Sequence, residues 1–109
     1  MAPSQAPLPP TTPVTPDYPF QFMCADYLHH LGKTYLVMID RYSNWPIVAQ
    51  ARDGAKGLIN LLRITFATFG IPEELATDGG PEFSSHLTRT FLKEWGVHHR
   101  LSSVIAELK

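Results

Sequence analysis

The sequence predicts an α/β fold, a mixed five-stranded sheet with flanking helices. Aromatic and β-favouring runs fill the first half of the chain after a proline-rich head. The apolar period then lengthens from two residues to about 3.6. From there strand-like and helix-like segments alternate, the pattern of crossover units that feed a sheet with parallel strands.

The elements follow in order. "FQFMCADYL" at 20–28 and "KTYLVMIDRY" at 33–42 read as a β-hairpin, with the glycine of "HHLGK" supplying the turn between them. "WPIVAQA" at 45–51 reads as a third strand, with Pro46 near its start, where a missing N–H donor is tolerated. Leu58, Leu61, Leu62, Thr65, Phe66 and Phe69 form the stripe of an amphipathic helix that Gly70 and Pro72 stop. "EELAT" at 73–77 is a short fourth strand. Phe83, Leu87, Phe91 and Trp95 recur every four residues, so a second helix is expected there, capped by Ser84 or Ser85 and ended by Gly96. "VHHRLS" at 97–102 is the fifth strand, and the final residues could open a further helix. Crossover connections should make strands one, four and five parallel, with strand one beside strand four.

Composition limits what such a domain can do. The chain has 109 residues, 44% hydrophobic and 17% charged, which suits one small globular domain. Residues 1–19 hold seven of its ten prolines and read as a disordered linker, leaving 20–109 as the domain. "PLPPTTP" lacks the basic flank of an SH3 ligand. The formal charge of −1 excludes a broad basic field, so any polynucleotide contact must be local. The single Cys24 cannot form an internal disulfide, and no signal sequence opens the chain, so an intracellular, reducing setting is expected. No apolar run approaches the roughly 20 residues that cross a bilayer, so no membrane partner is expected.

Two aspartates carry the chemistry. Asp26 lies inside an apolar strand, and Asp78 closes another just ahead of Gly79 and Gly80. If strands one and four are neighbours, both acids reach the crevice where an open α/β sheet binds ligands. Two ionised carboxylates about 4 Å apart repel by roughly 4 kcal/mol at an effective dielectric near 20, so the pair shares a proton or recruits a cation. A hard ion such as Mg²⁺ or Mn²⁺ takes carboxylate oxygens and keeps positions open for water and phosphate. Asp26 and Asp78 therefore read as a metal seat for two-metal displacement at phosphorus.

"CADY…GKTYLVMIDRYSNWPIV", "FGIPEELATDGGPEFSS" and "FLKEWGVHHRLSS" together resemble the integrase catalytic core of retroviruses and of Gypsy-type LTR retrotransposons, across about residues 17–103. The resemblance implies a ribonuclease-H-like fold and an Asp, Asp, Glu triad that binds divalent metal. It implies trimming of the 3′ ends of element DNA and their transfer into target DNA, hence DNA as partner, self-association or other integrase chains, and a nuclear location. By motif the first acid matches Asp26 and the second, in a "TDxGxEF" pattern, Asp78. The family's glutamate would fall beyond Lys109, after a loop this chain lacks. Glu107, in "AEL", matches its local context, either as a retained third acid or as a solvated tail residue. The helices that normally follow would be missing, so an open apolar face, and activity weak or absent in this chain alone, are expected; a catalytically silent, nucleic-acid- or protein-binding remnant is the alternative.

Backbone amides of Gly79 and Gly80 can approach a phosphate closely, and Arg89, Lys93 and Arg100 offer phosphate partners, unless Arg89 and Lys93 merely solvate a helix face. Ordinary roles suffice for the rest. Asp40 ends a strand, Glu82 suits a helix N-terminus, and Cys24 packs as a small hydrophobe. His29 with His30, and His98 with His99, point to opposite strand faces and default to solvent.

Overall fold

The computed structural model describes residues 15–101. Eight elements follow one another: β1 Phe22–His30, β2 Lys33–Asp40, β3 Pro46–Gln50, α1 Gly54–Phe69, β4 Glu74–Thr77, α2 Pro81–Ser84, α3 His86–Glu94 and β5 His98–Leu101. The sheet order is β3-β2-β1-β4-β5. β1 pairs antiparallel with β2 and parallel with β4, and β4 pairs parallel with β5. The mixed five-stranded sheet and the adjacency of strands one and four agree with the sequence.

The sheet packs one face against the helices. Met23, Ala25, Leu36, Met38 and Leu75 meet Leu58, Leu62 and Phe66 of α1, Phe83 of α2, and Phe91 and Leu92 of α3. Each fully buried leucine or phenylalanine in that layer contributes about 1.5–3 kcal/mol. Residues of opposite parity form a smaller cluster, Cys24 with Ala76 and the half-buried Ile39. The centre of β1 is thus buried on both faces, through Met23, Cys24 and Ala25, as expected for a strand flanked on both sides.

Two boundaries differ from the sequence reading, each for a local reason. The hairpin turn is not "HHLGK" but Leu31 and Gly32 alone, because both have positive φ (51° and 76°), the requirement of a two-residue type I′ turn. His29 and His30 therefore stay in the ladder, opposite Thr34 and Lys33. The helix expected from Phe83 to Trp95 is two helices. Ser85 is extended and breaks it, and its hydroxyl accepts the Thr88 N–H at 3.2 Å to start α3 afresh. The break turns α3, so Thr88 and Leu92 are buried while Leu87, expected on the apolar stripe, is 52% exposed.

Residues 17–21, just ahead of β1, are fastened in place: the Tyr18 hydroxyl donates to Glu73 Oε2 at 2.6 Å and the Asp17 N–H to Gln21 Oε1 at 2.6 Å. α1 begins without a side-chain cap, with Asp53 ahead of it and its first residue Gly54 both in left-handed conformations. Its first turn runs so close to the preceding loop that a Cβ on Gly57 would strike the Arg52 carbonyl oxygen. Gly57→Ala should therefore lower stability by about 1–3 kcal/mol, the usual cost of overpacking, although alanine is favoured in helices by about 1 kcal/mol. Thermal melts of the two proteins check the sign.

Candidate active site where β4 leaves β1

The β1–β4 ladder ends with Ala25 opposite Thr77. The next residues are Asp26, still in β1, and Asp78, just past the end of β4. The β1–β2 hairpin runs on beyond β4, so Asp26 is the first β1 residue past the shelter of that neighbour and is half-buried rather than sealed. Asp78, just past the strand, is exposed. Both acids line one cleft of about 530 Å³, together with Tyr27, His29, Thr34, Gly80, Pro81 and Glu82.

Local hydrogen bonds orient the carboxylates. Asp26 Oδ1 accepts the Tyr27 N–H at 2.8 Å, and Asp78 Oδ1 accepts the Gly80 N–H at 3.0 Å. Gly79 between them has φ 81°, a left-handed conformation that a side chain would strain. On the cleft wall Tyr27 packs against Phe83, ring centroids 5.1 Å apart. Burial, with Glu82 nearby, pushes its phenol up to about 12, so Tyr27 keeps its proton at neutral pH. His29 Nδ1 lies 3.0 Å from Thr34 Oγ1 at the rim.

Two carboxylates lining one cleft suit a hard divalent cation, which commonly takes one or two protein carboxylates plus water and phosphate. Among the described residues no group of three His, Cys, Asp or Glu side chains could hold a metal ion. Glu82 reaches the same cleft without completing such a group. Glu107 lies outside the described residues.

The basic candidates are divided. Arg89 and Lys93 share the exposed side of α3 and line adjoining grooves. Arg100 alternates to the sheet face of Ala76 and Cys24, where its Nε is 3.2 Å from Glu74 Oε2. The structure does not bring it to the other two.

The remaining polar residues have structural surroundings. Asp40 is fully buried and accepts from the Phe20, Tyr42 and Ser43 N–H groups and the Ser43 hydroxyl. Cys24 is also fully buried, and burial pushes its thiol up, with Arg41 opposing only in part. His29, His30 and His98 are exposed, while His99 is half-buried with its Nε2 2.9 Å from Thr77 Oγ1. Burial, with Arg89 nearby, holds the His99 imidazole below its usual range. Sequence reasoning misses Tyr27 and Thr34 as cleft residues. The hairpin register finds Thr34, because a two-residue turn at 31 and 32 places it opposite His29.

The Integrase core domain family matches residues 16–105. This chain belongs to that family. An uncharacterized protein of Caenorhabditis elegans is 32% identical over 91 residues, 82% of this chain and 7% of that protein. The Gag-Pro-Pol polyprotein of sheep pulmonary adenomatosis virus is 31% identical over 81 residues, 73% of this chain and 4% of the polyprotein. The HTLV-2 integrase catalytic core domain, solved in complex with magnesium in a dimeric form, superposes with a TM-score of 0.70 at 20% identity, covering 76% of this chain and 60% of that one. This integrase core therefore spans a small part of its curated relatives and about three fifths of that solved domain. It has the ribonuclease-H-like fold, and among the described residues no helix is long and apolar enough to cross a membrane.

Proposed function

We propose that this integrase core is a polynucleotidyl transferase of a retroelement, acting on DNA 3′ ends by processing and strand transfer, with activity weak or absent in this chain alone. The observation that supports the reading is that Asp26 of β1 and Asp78, just past the neighbouring parallel strand β4, line one cleft. Asp26 and Asp78 would hold Mg²⁺ or Mn²⁺, the metal supplying Lewis acidity at the phosphorus and stabilising the leaving oxygen. The Gly80 N–H fixes the Asp78 carboxylate, so little reorganisation is needed when a ligand arrives. Gly79 and Gly80, lacking side chains, let a phosphodiester come close to the acids. The magnesium-bound HTLV-2 core, described in dimeric and trimeric forms, supports both the metal and self-association as expectations for this chain. DNA at element ends and target sites is the proposed partner, and the nucleus the proposed location.

The alternative is a catalytically silent remnant that binds nucleic acid or protein. Both readings are tested together. Mn²⁺ should raise the melting temperature of the chain, and Asp78→Asn should weaken Mn²⁺ binding at least about tenfold, since even the groups supporting metal ligands are worth 10–100-fold. Asp78-dependent nicking of a labelled duplex in Mn²⁺ supports the transferase, metal binding without nicking selects the remnant, and an Mn²⁺ effect indifferent to Asp78 overturns the metal seat.

A further inference from the structure

A chain of net charge −1 has no general attraction for a polyanion, and Asp78 and Glu82 in the cleft do not by themselves attract a phosphodiester. The place where a polynucleotide is first held must therefore lie elsewhere on the surface. α3 provides such a place. His86, Arg89, Thr90 and Lys93, spaced i, i+3, i+4 and i+7, line one groove of about 380 Å³ on its exposed side. Arg89 and Lys93 also form a wall of a second groove, of about 610 Å³, between α3 and β5, opposite His98 and His99. Among the described residues no carboxylate lines either groove.

We infer that the paired grooves along α3 form a phosphate-backbone site for a polynucleotide strand, separate from the acidic cleft and independent of metal. The site reads charge and not sequence, because its two permanent cations and polar neighbours suit phosphate oxygens. From residue 86 to residue 93 the helix rises about 10 Å, the length over which one DNA strand presents about three phosphates. Leu101, 56% exposed, gives the wider groove an apolar wall that suits the sugar faces of a strand lying in it. A lipid surface fits less well, since membrane-binding segments use clusters of 4–8 basic residues, and a flat bilayer cannot enter a groove. Arg100 takes no part, because its guanidinium faces Glu74 across the other side of the sheet.

The inference rests on the proposed function only for the identity of the ligand as a polynucleotide, and the experiment keeps the two apart. A fluorescent 30-base-pair duplex is titrated with the full chain in EDTA across about 50–200 mM KCl. Arg89→Gln/Lys93→Gln should bind more weakly, and the slope of log affinity against log salt should flatten by about 1.8, or 0.9 for each phosphate no longer neutralised. Arg89→Lys/Lys93→Arg should restore the slope. Both positions are exposed, so an unchanged melting temperature certifies folding. An unaltered slope in the double glutamine variant overturns the inference, as does Arg89- and Lys93-dependent binding to phosphatidylserine vesicles with none to the duplex. Failure of the Asp78-dependent Mn²⁺ effect with the slope intact removes only the metal seat.

Discussion

Phe83→Ala is expected to reduce the unfolding free energy by about 3–5 kcal/mol, the range for deleting a buried phenylalanine. Phe83 is fully buried although it sits in the four-residue α2, a segment too short to be helical on its own. Its ring joins the main core and packs against Tyr27 of β1, the residue next to Asp26. The side chain thus clamps the loop of Asp78, Gly79 and Gly80 to the strand that carries the other acid. A domain of this size is commonly stable by only 5–15 kcal/mol, so the loss is a large share of the total. Urea denaturation should show the midpoint falling with the slope unchanged. Because the cavity lies behind the cleft, Mn²⁺ binding should weaken even at temperatures where the variant remains folded. Leu87→Ala, two residues into α3 and 52% exposed, should change stability by less than about 0.5 kcal/mol. The pair separates a clamp from a residue of similar sequence appearance.

That contrast shows which features the sequence displayed. The strands and α1 were legible because burial on one face imposes a period, and Leu58, Leu62 and Phe66 keep it without interruption. Asp26 and Asp78 were legible because a carboxylate within or at the end of an apolar strand conflicts with packing, and the strand order makes the two conflicts neighbours. Periodicity misled at Leu87, since a single extended serine resets the phase of a helix and Ser85 reads equally well as a cap within one continuous helix. Arg100 depended on register. A one-residue slip of β5 would send it to the face of α3, and only the pairing of Ala76 with Arg100 decides against that. Gly57 sits in the first turn of α1. Its constraint is a carbonyl oxygen of the preceding loop, whose path follows from Asp53 and Gly54 both adopting positive φ, and no local pattern announces that.

Asp40→Ala should cost about 2–4 kcal/mol, because a buried donor left without its acceptor loses about 1–3 kcal/mol and three backbone N–H groups converge on this carboxylate. Those donors belong to Phe20, Tyr42 and Ser43, so one side chain ties the entry to β1 to the β2–β3 turn. The Asp40 N–H also donates to the Trp45 carbonyl at 3.0 Å, closing that turn from the other side. Burial by itself would raise the carboxyl, but the Ser43 hydroxyl and the three backbone donors outweigh it and hold the group below its ordinary value of 3.8. A depressed folded value means that the unfolded chain takes up the proton more readily. The contribution of Asp40 is therefore complete above the ordinary value and is lost as pH falls through it toward the lower folded value. Stability curves of the two proteins should accordingly converge as pH falls below the ordinary value of 3.8. The substitution should leave Asp78-dependent Mn²⁺ binding intact in the folded variant, because Asp40 sits opposite Met23, three residues back along β1 from Asp26 and away from the cleft. Asp78→Asn should do the reverse, since Asp78 is exposed and its hydrogen bond to the Gly80 N–H closes only a local turn. Measured together, the two variants distinguish an aspartate that holds the fold from one placed to hold a cation.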